Sequence, residues 1–378
     1  MLTFIFILFC TQNIHGNESD DYTYKGSENI QNSADQFNVL VNQHILEAEN
    51  KSNNKTRLEK AVEYFSYSSE ETKNLVSPAT DQCTEDQEAE YIPNKNDGKT
   101  HLRNGYHLPR LPKKLKSFHE PKCDRERLMQ KLKTTLNKNW PEIRNIMIAD
   151  DSIDRGKINR REGSIYEDTA KGPLMTLGGC CDPIVNIDGI YVGIDKLDHI
   201  LSTGHVYFED YTKNFSTLSA MSIGLRRENG SWGLAGTGVK SYGDLAANYA
   251  GLHFWANLID GEFPYIVCED GKFKVNKSFD IRNFITKAMD ESINCSSYNT
   301  ENIAKKIDSK AQQVGLQKQC PVDPKECEKL KDYYTEAEFK YIVHKRCQVP
   351  EQAEGISLAE PGNKIEDKTF HTKGLFRQ

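Results

Sequence analysis

Residues 241–259 read SYGDLAANYAGLHFWANLI and predict a helix. One strip of that helix carries four residues at spacings of four, three and four: Asp244, Asn248, Gly251 and Trp255. Apolar side chains flank the strip on both sides, so a carboxylate and an amide stand in the middle of an apolar face. A buried carboxylate costs several kcal/mol unless it has polar partners. The strip therefore predicts that a neighbouring element brings polar groups to it.

A local alternative exists for Asp244. The pattern Ser241-x-x-Asp244 has the spacing of a capping box, in which the carboxylate would bond only the Ser241 amide. That alternative leaves Asn248, one turn further along the same strip, without an explanation. Both interpretations of Asp244, as a site residue and as a capping residue, stay open on the sequence.

A second cluster of polar residues is DKLDH, residues 195–199, at the start of another predicted helix. Asp195 and His199 lie one turn apart on the face opposite the apolar stripe of that helix. Such a pair suits a metal site or a histidine base oriented by a carboxylate. In the alternative, Asp195 is the N-cap, Asp198 completes a capping box, and His199 is a surface histidine.

Together the two clusters resemble a known pattern. Asp195-Lys196-x-x-His199, followed by Ser241-x-x-Asp244-x-x-Ala247-Asn248-x-x-Gly251, resembles uncharacterised exported bacterial proteins and is distantly similar to the YfiM-type envelope lipoproteins. The similarity covers roughly residues 180–260. It implies a bacterial-envelope setting and no particular reaction. It also implies that Asp195, His199, Asp244 and Asn248 belong to one site. The chain departs from the lipoproteins because it lacks a convincing lipidation cysteine.

The expected fold class is mainly α: a disulfide-stapled helical domain with a small β-hairpin. Two apolar runs, residues 184–187 and 190–192, are joined by Asp188-Gly189, a favoured two-residue hairpin turn. Leucines at a spacing of four, from Leu128 to Leu136, predict a helix that ends at Pro141. Further helices are predicted over residues 196–213, 216–227, 242–258, 280–291, 300–314 and 335–346, the last beginning with the capping-box pattern Thr335-x-x-Glu338.

Cysteine usage indicates an oxidising compartment. The chain has ten cysteines, and no CxxC pair or Cys/His spacing typical of zinc occurs among them. Eight are expected to form disulfides of open connectivity: Cys123, Cys180, Cys181, Cys268, Cys295, Cys320, Cys327 and Cys347. Cys83 is left over. The adjacent Cys180 and Cys181 are expected to take different partners, because a vicinal disulfide is strained.

Composition divides the chain into four parts. Residues 1–16 contain a short apolar run typical of a signal peptide. Residues 17–120 are polar, so they are expected to be of low complexity and largely disordered, with room for one helix at residues 35–48. Residues 121–350 are expected to form the helical disulfide-containing domain, and residues 351–378 a polar tail.

The overall charge argues against one class of function, nucleic-acid binding. A net charge of −6 and a pI near 6.0 give no reason to expect a nucleic-acid partner. After the apolar run within residues 1–16, no stretch is long and apolar enough for a transmembrane span. The chain is therefore expected to be exported, to the periplasm or the extracellular space, where an envelope component or another protein is its candidate partner.

Three functional hypotheses remain on the sequence, and in one of them the polar N-terminal region and the tail make the interactions while the helical domain is their platform. The leading one is a binding or structural module of unknown activity, associated with the envelope. The alternative is a metal-dependent or His/Asp-dependent hydrolase acting at the cell envelope. In that alternative His199 and Asp244 are the candidate catalytic residues, and Asp195 and Asn248 are candidate binding residues. The sequence specifies neither a metal nor a cofactor, and it leaves the oligomeric state open.

Overall fold

The computed structural model describes residues 18–19, 29–53, 108–115, 123–137, 140–156, 165–166, 181–313 and 320–360. The predicted signal peptide, the greater part of residues 17–120 and the tail beyond residue 360 lie outside these ranges. Cys83, Cys180 and the side chain of Cys181 are also outside the described part of the structure.

Helices dominate the described ranges. They are α1 (Ala34–Asn53), α2 (Arg125–Leu132), α3 (Trp140–Ala149), α4 (Ile194–Asp198), α5 (Gly204–Asn214), α6 (Thr217–Asn229), α7 (Tyr242–Ile259), α8 (Glu301–Gln313), α9 (Pro324–Lys329), α10 (Glu336–Ile342) and α11 (Lys345–Gln348). A π-helical segment, Lys133–Asn137, continues α2, and a second one, His199–Thr203, joins α4 to α5. The expected mainly α class is therefore confirmed.

The strands form four small pairs. They are β1 (Glu18–Ser19), β2 (Cys181–Asp182), β3 (Ile184–Ile187), β4 (Ile190–Gly193), β5 (Val239–Ser241), β6 (Ile266–Glu269), β7 (Lys272–Val275) and β8 (Ser296–Tyr298). The pair β1–β2 is parallel, and β3–β4, β5–β8 and β6–β7 are antiparallel. In the β5–β8 pair Ser241 lies directly opposite Ser296, a register that matters for the site.

The predicted hairpin is present as β3–β4. Its turn residues Asp188 and Gly189 have φ values of 53° and 83°, the left-handed conformations that a type I′ turn requires. A second hairpin, β6–β7, turns at Asp270-Gly271 in the same way, with φ values of 52° and 72°. The same dipeptide signal was present in the sequence there, but the second hairpin was not predicted.

Helix α7 is the centre of the domain. All of its residues are buried, which is unusual for a helix of a soluble domain and fits its mainly apolar sequence. Helices α5 and α6 and the π-helical segment before α5 pack against it, and α10 covers another side. The predicted helix over 242–258 is therefore confirmed, with ends within one residue.

The predicted helix over residues 280–291 is wrong. That segment holds only two short 3₁₀ turns, Ile281–Asn283 and Lys287–Met289. Its backbone and side chains are instead used in local and tertiary hydrogen bonds. Asp290 accepts from the amide and hydroxyl of Ser292, and Asn294 donates to the carbonyls of Ala288 and Ile342. These competing bonds explain why an apolar spacing compatible with a helix does not produce one.

Two other predicted helices differ at their ends. The helix over 335–346 keeps its capping box at Thr335 and Glu338 but breaks at Val343, whose backbone is extended, before α11. The segment predicted to end at Pro141 is helical as far as Asn137, residues 138–139 lie outside the described ranges, and Pro141 is the second residue of α3. Proline is tolerated in a first turn because its missing N–H has no partner there.

Helix α1 extends the domain beyond its expected boundary. The helix lies within residues 17–120, which are expected to be largely disordered, yet one face of it belongs to the main hydrophobic core. The buried residues of that face include Phe37, Val41 and Ile45. Asn38 and Asn42 bind the segment that precedes residue 281, which ties the helix to the domain through polar contacts as well.

Within the described part of the chain three disulfides staple the domain, as expected for the fold class. Cys123–Cys268 joins α2 to β6 across 145 residues, while Cys295–Cys320 and Cys327–Cys347 close short loops. The two short bridges hold the segment around β8, α9 and α11 together. Within the described ranges, no helix is long and apolar enough to cross a bilayer.

We expect Phe37→Ala to lower the free energy of unfolding by about 3–5 kcal/mol, because it leaves a cavity in the main core. Val39→Ala, on the exposed face of the same helix, is the matched control and should change it by about 0.5 kcal/mol or less. Urea denaturation of both variants provides the measurement. Equal effects would show that α1 does not belong to the folded domain.

Candidate functional site

A buried lysine lies between the two predicted clusters. The Lys196 ammonium has no exposed surface and contacts three carboxylates: Asp195 at 2.8 Å, Asp244 at 2.7 Å and Glu291 at 2.7 Å. Asp195 and Glu291 accept hydrogen bonds from it, whereas Asp244 Oδ1 lies at ion-pair distance without hydrogen-bond geometry. We call these four residues, with His199 and Asn248, the Lys196 network.

Glu291 is held in the network from every side. Its Oε1 accepts from the Ser241 hydroxyl at 2.6 Å as well as from Lys196. Its Oε2 accepts from the hydroxyls of Tyr166, at 2.9 Å, and Ser296, at 3.0 Å. Ser241 and Ser296 face each other across the β5–β8 pair, so the strand register places both hydroxyls on one carboxylate. These bonds offset the cost of burying the Glu291 charge.

His199 extends the network toward the surface. Its Nε2 lies 3.2 Å from Asp244 Oδ2, and its Nδ1 lies 2.8 Å from Asn248 Oδ1. The side chains of His199 and Asp244 are 12% and 8% exposed, whereas Lys196 and Glu291 are fully buried. Both ring nitrogens thus lie within hydrogen-bonding distance of protein oxygen atoms, and a neutral ring donates to only one of these two acceptors. The four residues predicted to share a site do lie together.

The whole polar strip of α7 faces the segment from α4 to α5. Further along the strip, Gly251 packs against both Gly204 and the backbone of Ile200. A Cβ added to Gly251 would lie 2.4 Å from the Ile200 carbonyl oxygen. The indole of Trp255 donates to the Leu201 carbonyl at 3.0 Å. That carbonyl belongs to the π-helical segment, where the wider turn alters the usual ladder of hydrogen bonds.

The capping alternatives are wrong. The N-cap of α4 is Gly193, and Asp195 lies inside the helix with its carboxylate on Lys196. Ser241 does cap α7, since its hydroxyl accepts from the Asp244 amide. The Asp244 carboxylate, however, does not return to the Ser241 amide, which donates to Glu228 Oε2 instead.

Glu228 is a further buried acid beside the network. Burial raises its pKa well above the ordinary range, and the nearby Asp244 and Glu291 charges act in the same direction. The raised pKa favours the neutral form of this carboxyl, beside a site that already holds three carboxylates and one ammonium.

Sequence reasoning missed the roles of Lys196, Glu291 and Glu228. Lys196 stood inside the quoted motif but received no role, because a lysine is rarely buried unless charged partners that the local sequence does not reveal surround it. Glu291 was assigned to the end of a helix that does not form. Glu228 lies at the end of α6, and nothing local distinguishes it from a solvated glutamate.

Space for the lysine comes from Gly243. A Cβ at that position would lie 2.9 Å from Lys196 Cε and 2.9 Å from the Met289 carbonyl oxygen, so a larger residue would block the side chain. The ammonium thus fills the place among the carboxylates where a cation would bind. No group of three or more His, Cys, Asp or Glu suited to a metal ion occurs in the described ranges.

Comparison with known proteins adds no family. No protein-family model matches the chain, and neither a curated protein nor a solved structure is similar to it.

Three further histidines are buried in the domain. Burial lowers the pKa of His205 and of His253 to about 4, and that of His344 to about 3. His253 Nδ1 donates to the Pro109 carbonyl at 2.6 Å, which ties the segment 108–115 onto α7. Each histidine is therefore neutral in the fold at neutral pH.

We expect Gly251→Ala to destabilise the domain by about 1–3 kcal/mol or more, because the added methyl forces α5 away from α7. Gly355→Ala is the control, since its Cβ would meet nothing within 4 Å. Thermal unfolding of the two variants tests this. If Gly251→Ala costs no more stability than Gly355→Ala, the close contact between α5 and α7 is contradicted.

The domain should lose stability in mild acid. A histidine with an unfolded pKa near 6.5 and a folded pKa near 4 favours the folded state fully above pH 6.5, and this contribution is lost as the pH falls toward 4. For His253 the loss at pH 5 is about 2 kcal/mol relative to pH 7.5. Urea unfolding at both pH values should show a smaller difference for His253→Gln than for the wild type. An unchanged difference would contradict burial of the neutral ring.

Proposed function

We propose that the protein is an exported, non-catalytic binding or structural module, in which the Lys196 network joins α4, the π-helical segment that follows it and α7 to the segment around Glu291. The observation that carries this proposal is the set of carboxylate and amide contacts that surrounds Lys196 and His199. The ammonium has three carboxylate partners, and both ring nitrogens of His199 lie within hydrogen-bonding distance of protein oxygen atoms.

A buried network of this kind specifies one arrangement of the elements that contribute to it. Its members come from three separate parts of the chain: residues 195–199, 244–248 and 291. Each charged group would be stranded if its partners moved, so the network opposes alternative packings of the same helices. The network therefore stabilises one packing of the domain and takes no part in a reaction.

The export part of the proposal rests on chemistry of a different kind. Three disulfides within the described ranges are compatible with an oxidising compartment such as the periplasm or the extracellular space. The apolar run within residues 1–16 and the resemblance to exported bacterial proteins support the same setting. An envelope component or a second protein is then the natural partner.

The hydrolase alternative retains one supporting observation. His199 and Asp244 stand 3.2 Å apart, the arrangement of a histidine base and the carboxylate that orients it. A base of that kind needs its other nitrogen free for substrate or water, whereas Nδ1 of His199 lies 2.8 Å from Asn248 Oδ1. That second contact favours the structural role.

The test is a double-mutant cycle of His199→Gln and Asp244→Asn, read by urea unfolding. Asp244→Asn should cost about 3–5 kcal/mol, because it breaks a buried ion pair. The two changes should be coupled by about 0.5–3 kcal/mol. Asp270→Asn, at a turn residue whose side chain is 93% exposed, is the matched control and should have little effect.

Hydrolysis of p-nitrophenyl ester and phosphate substrates by the same purified variants decides between the two functions. Strictly additive losses of stability would contradict the network. A hydrolytic activity of the wild type that His199→Gln abolishes, with its stability kept, would replace the structural role with the hydrolase.

A further inference from the structure

A cavity of about 540 Å³ opens beside the N-terminal end of α7, away from His199. This volume is within the usual range of small-molecule sites. Its walls come from the start of α7, the segment that follows β8, the junction of α10 and α11, and residues 356–360. Six of the residues that line it carry the argument: Tyr242, Ser297, Glu301, His344, Lys345 and Glu360.

A buried imidazole offers a free donor in this cavity. His344 is 3% exposed, and its Nδ1 accepts from the Arg346 amide at 3.1 Å. Because burial lowers its pKa to about 3, the ring is neutral and its proton is on Nε2. No residue in the described ranges accepts a hydrogen bond from that nitrogen. The nitrogen has some exposed surface, and His344 lines the cavity, so Nε2 can donate to water or to a ligand acceptor there.

The charges along the walls cancel. Lys345 is opposed by Glu301, and Glu360 is paired with Lys240 at 3.1 Å just behind the wall. A cavity without net charge does not favour an anion or a cation. It does present both kinds of hydrogen-bonding group, donors at His344 and Lys345 and acceptors at the two glutamates. A hydroxyl group can bind either kind, because it donates and accepts.

We infer that this cavity binds an uncharged polyhydroxylated ligand, a saccharide unit, with Glu301 accepting from its hydroxyls and Lys345 and His344 donating to them. Tyr242, Ile356 and Ala359 supply apolar surface for its C–H groups. This inference is independent of the role proposed for the Lys196 network.

The last described residues form one wall and are fixed in place. Leu358 and Glu360 exchange backbone hydrogen bonds with Tyr298 of β8. Two side-chain contacts add to this pairing: Ser357 donates to Glu301 at 2.7 Å, and Lys240 pairs with Glu360. The cavity is therefore preformed, which reduces the entropy lost when a ligand binds.

The test uses the full-length oxidised protein. Saturation-transfer NMR and calorimetry are run with glucose, galactose, mannose and N-acetylglucosamine and with the disaccharides cellobiose and lactose, at millimolar concentration. Sodium acetate and inorganic phosphate are the charged probes. The variants are Glu301→Gln and Lys345→Ala, both at exposed positions. Glu336→Gln and Lys340→Ala change the same charges on α10, outside the cavity, and serve as controls.

At least one sugar of the panel should bind saturably, and each cavity variant should weaken it about tenfold, the effect of one lost hydrogen bond to a charged group. The two controls should bind as the wild type does. Absence of saturable sugar binding would overturn the inference. So would binding of acetate or phosphate alone, or sugar binding that both cavity variants leave unchanged.

Discussion

The arrangement of this domain depends on a single buried ammonium. Lys196 has no exposed surface, so its charge is stable only beside groups of opposite charge, and three carboxylates contact it. One carboxylate belongs to its neighbour in sequence, one comes from α7, and one comes from the non-helical segment at Glu291. Because these parts are up to 96 residues apart along the chain (195 to 291), pairing one side chain brings three distant elements into contact.

The other features of the site follow from that contact. Gly243 leaves room for the lysine stem, and the Gly204–Gly251 crossing lets α5 approach α7 closely enough for His199 to reach Asp244. Glu291 is kept in place by Ser241 and Ser296 and by the disulfide Cys295–Cys320, whose loop follows directly. The chain neighbours of those two serines, Tyr242 and Ser297, line the cavity, so the network also shapes the proposed ligand site.

The regular elements were largely predictable. The length and apolar spacing of α7, the Asp-Gly turn of β3–β4 and the capping box of α10 are local properties, decided within a few residues of the chain. The helix predicted over 280–291 failed because Asp290, Ser292 and Asn294 use their polar groups in bonds that a periodicity argument does not include. Helix α1 was underestimated because its hydrophobic face is narrow and its stability comes from the core it joins.

The candidate site, like the fold, was predictable only in part. The sequence by itself determined that Asp244 and Asn248 share a strip with Gly251 and Trp255, because helical geometry follows from residue spacing. It also determined that so polar a strip needs partners. Only the tertiary structure decided who those partners are, and that Lys196, not His199 alone, stands at their centre. A carboxylate is satisfied by any donor within reach, and reach depends on how distant elements pack, which no local pattern contains.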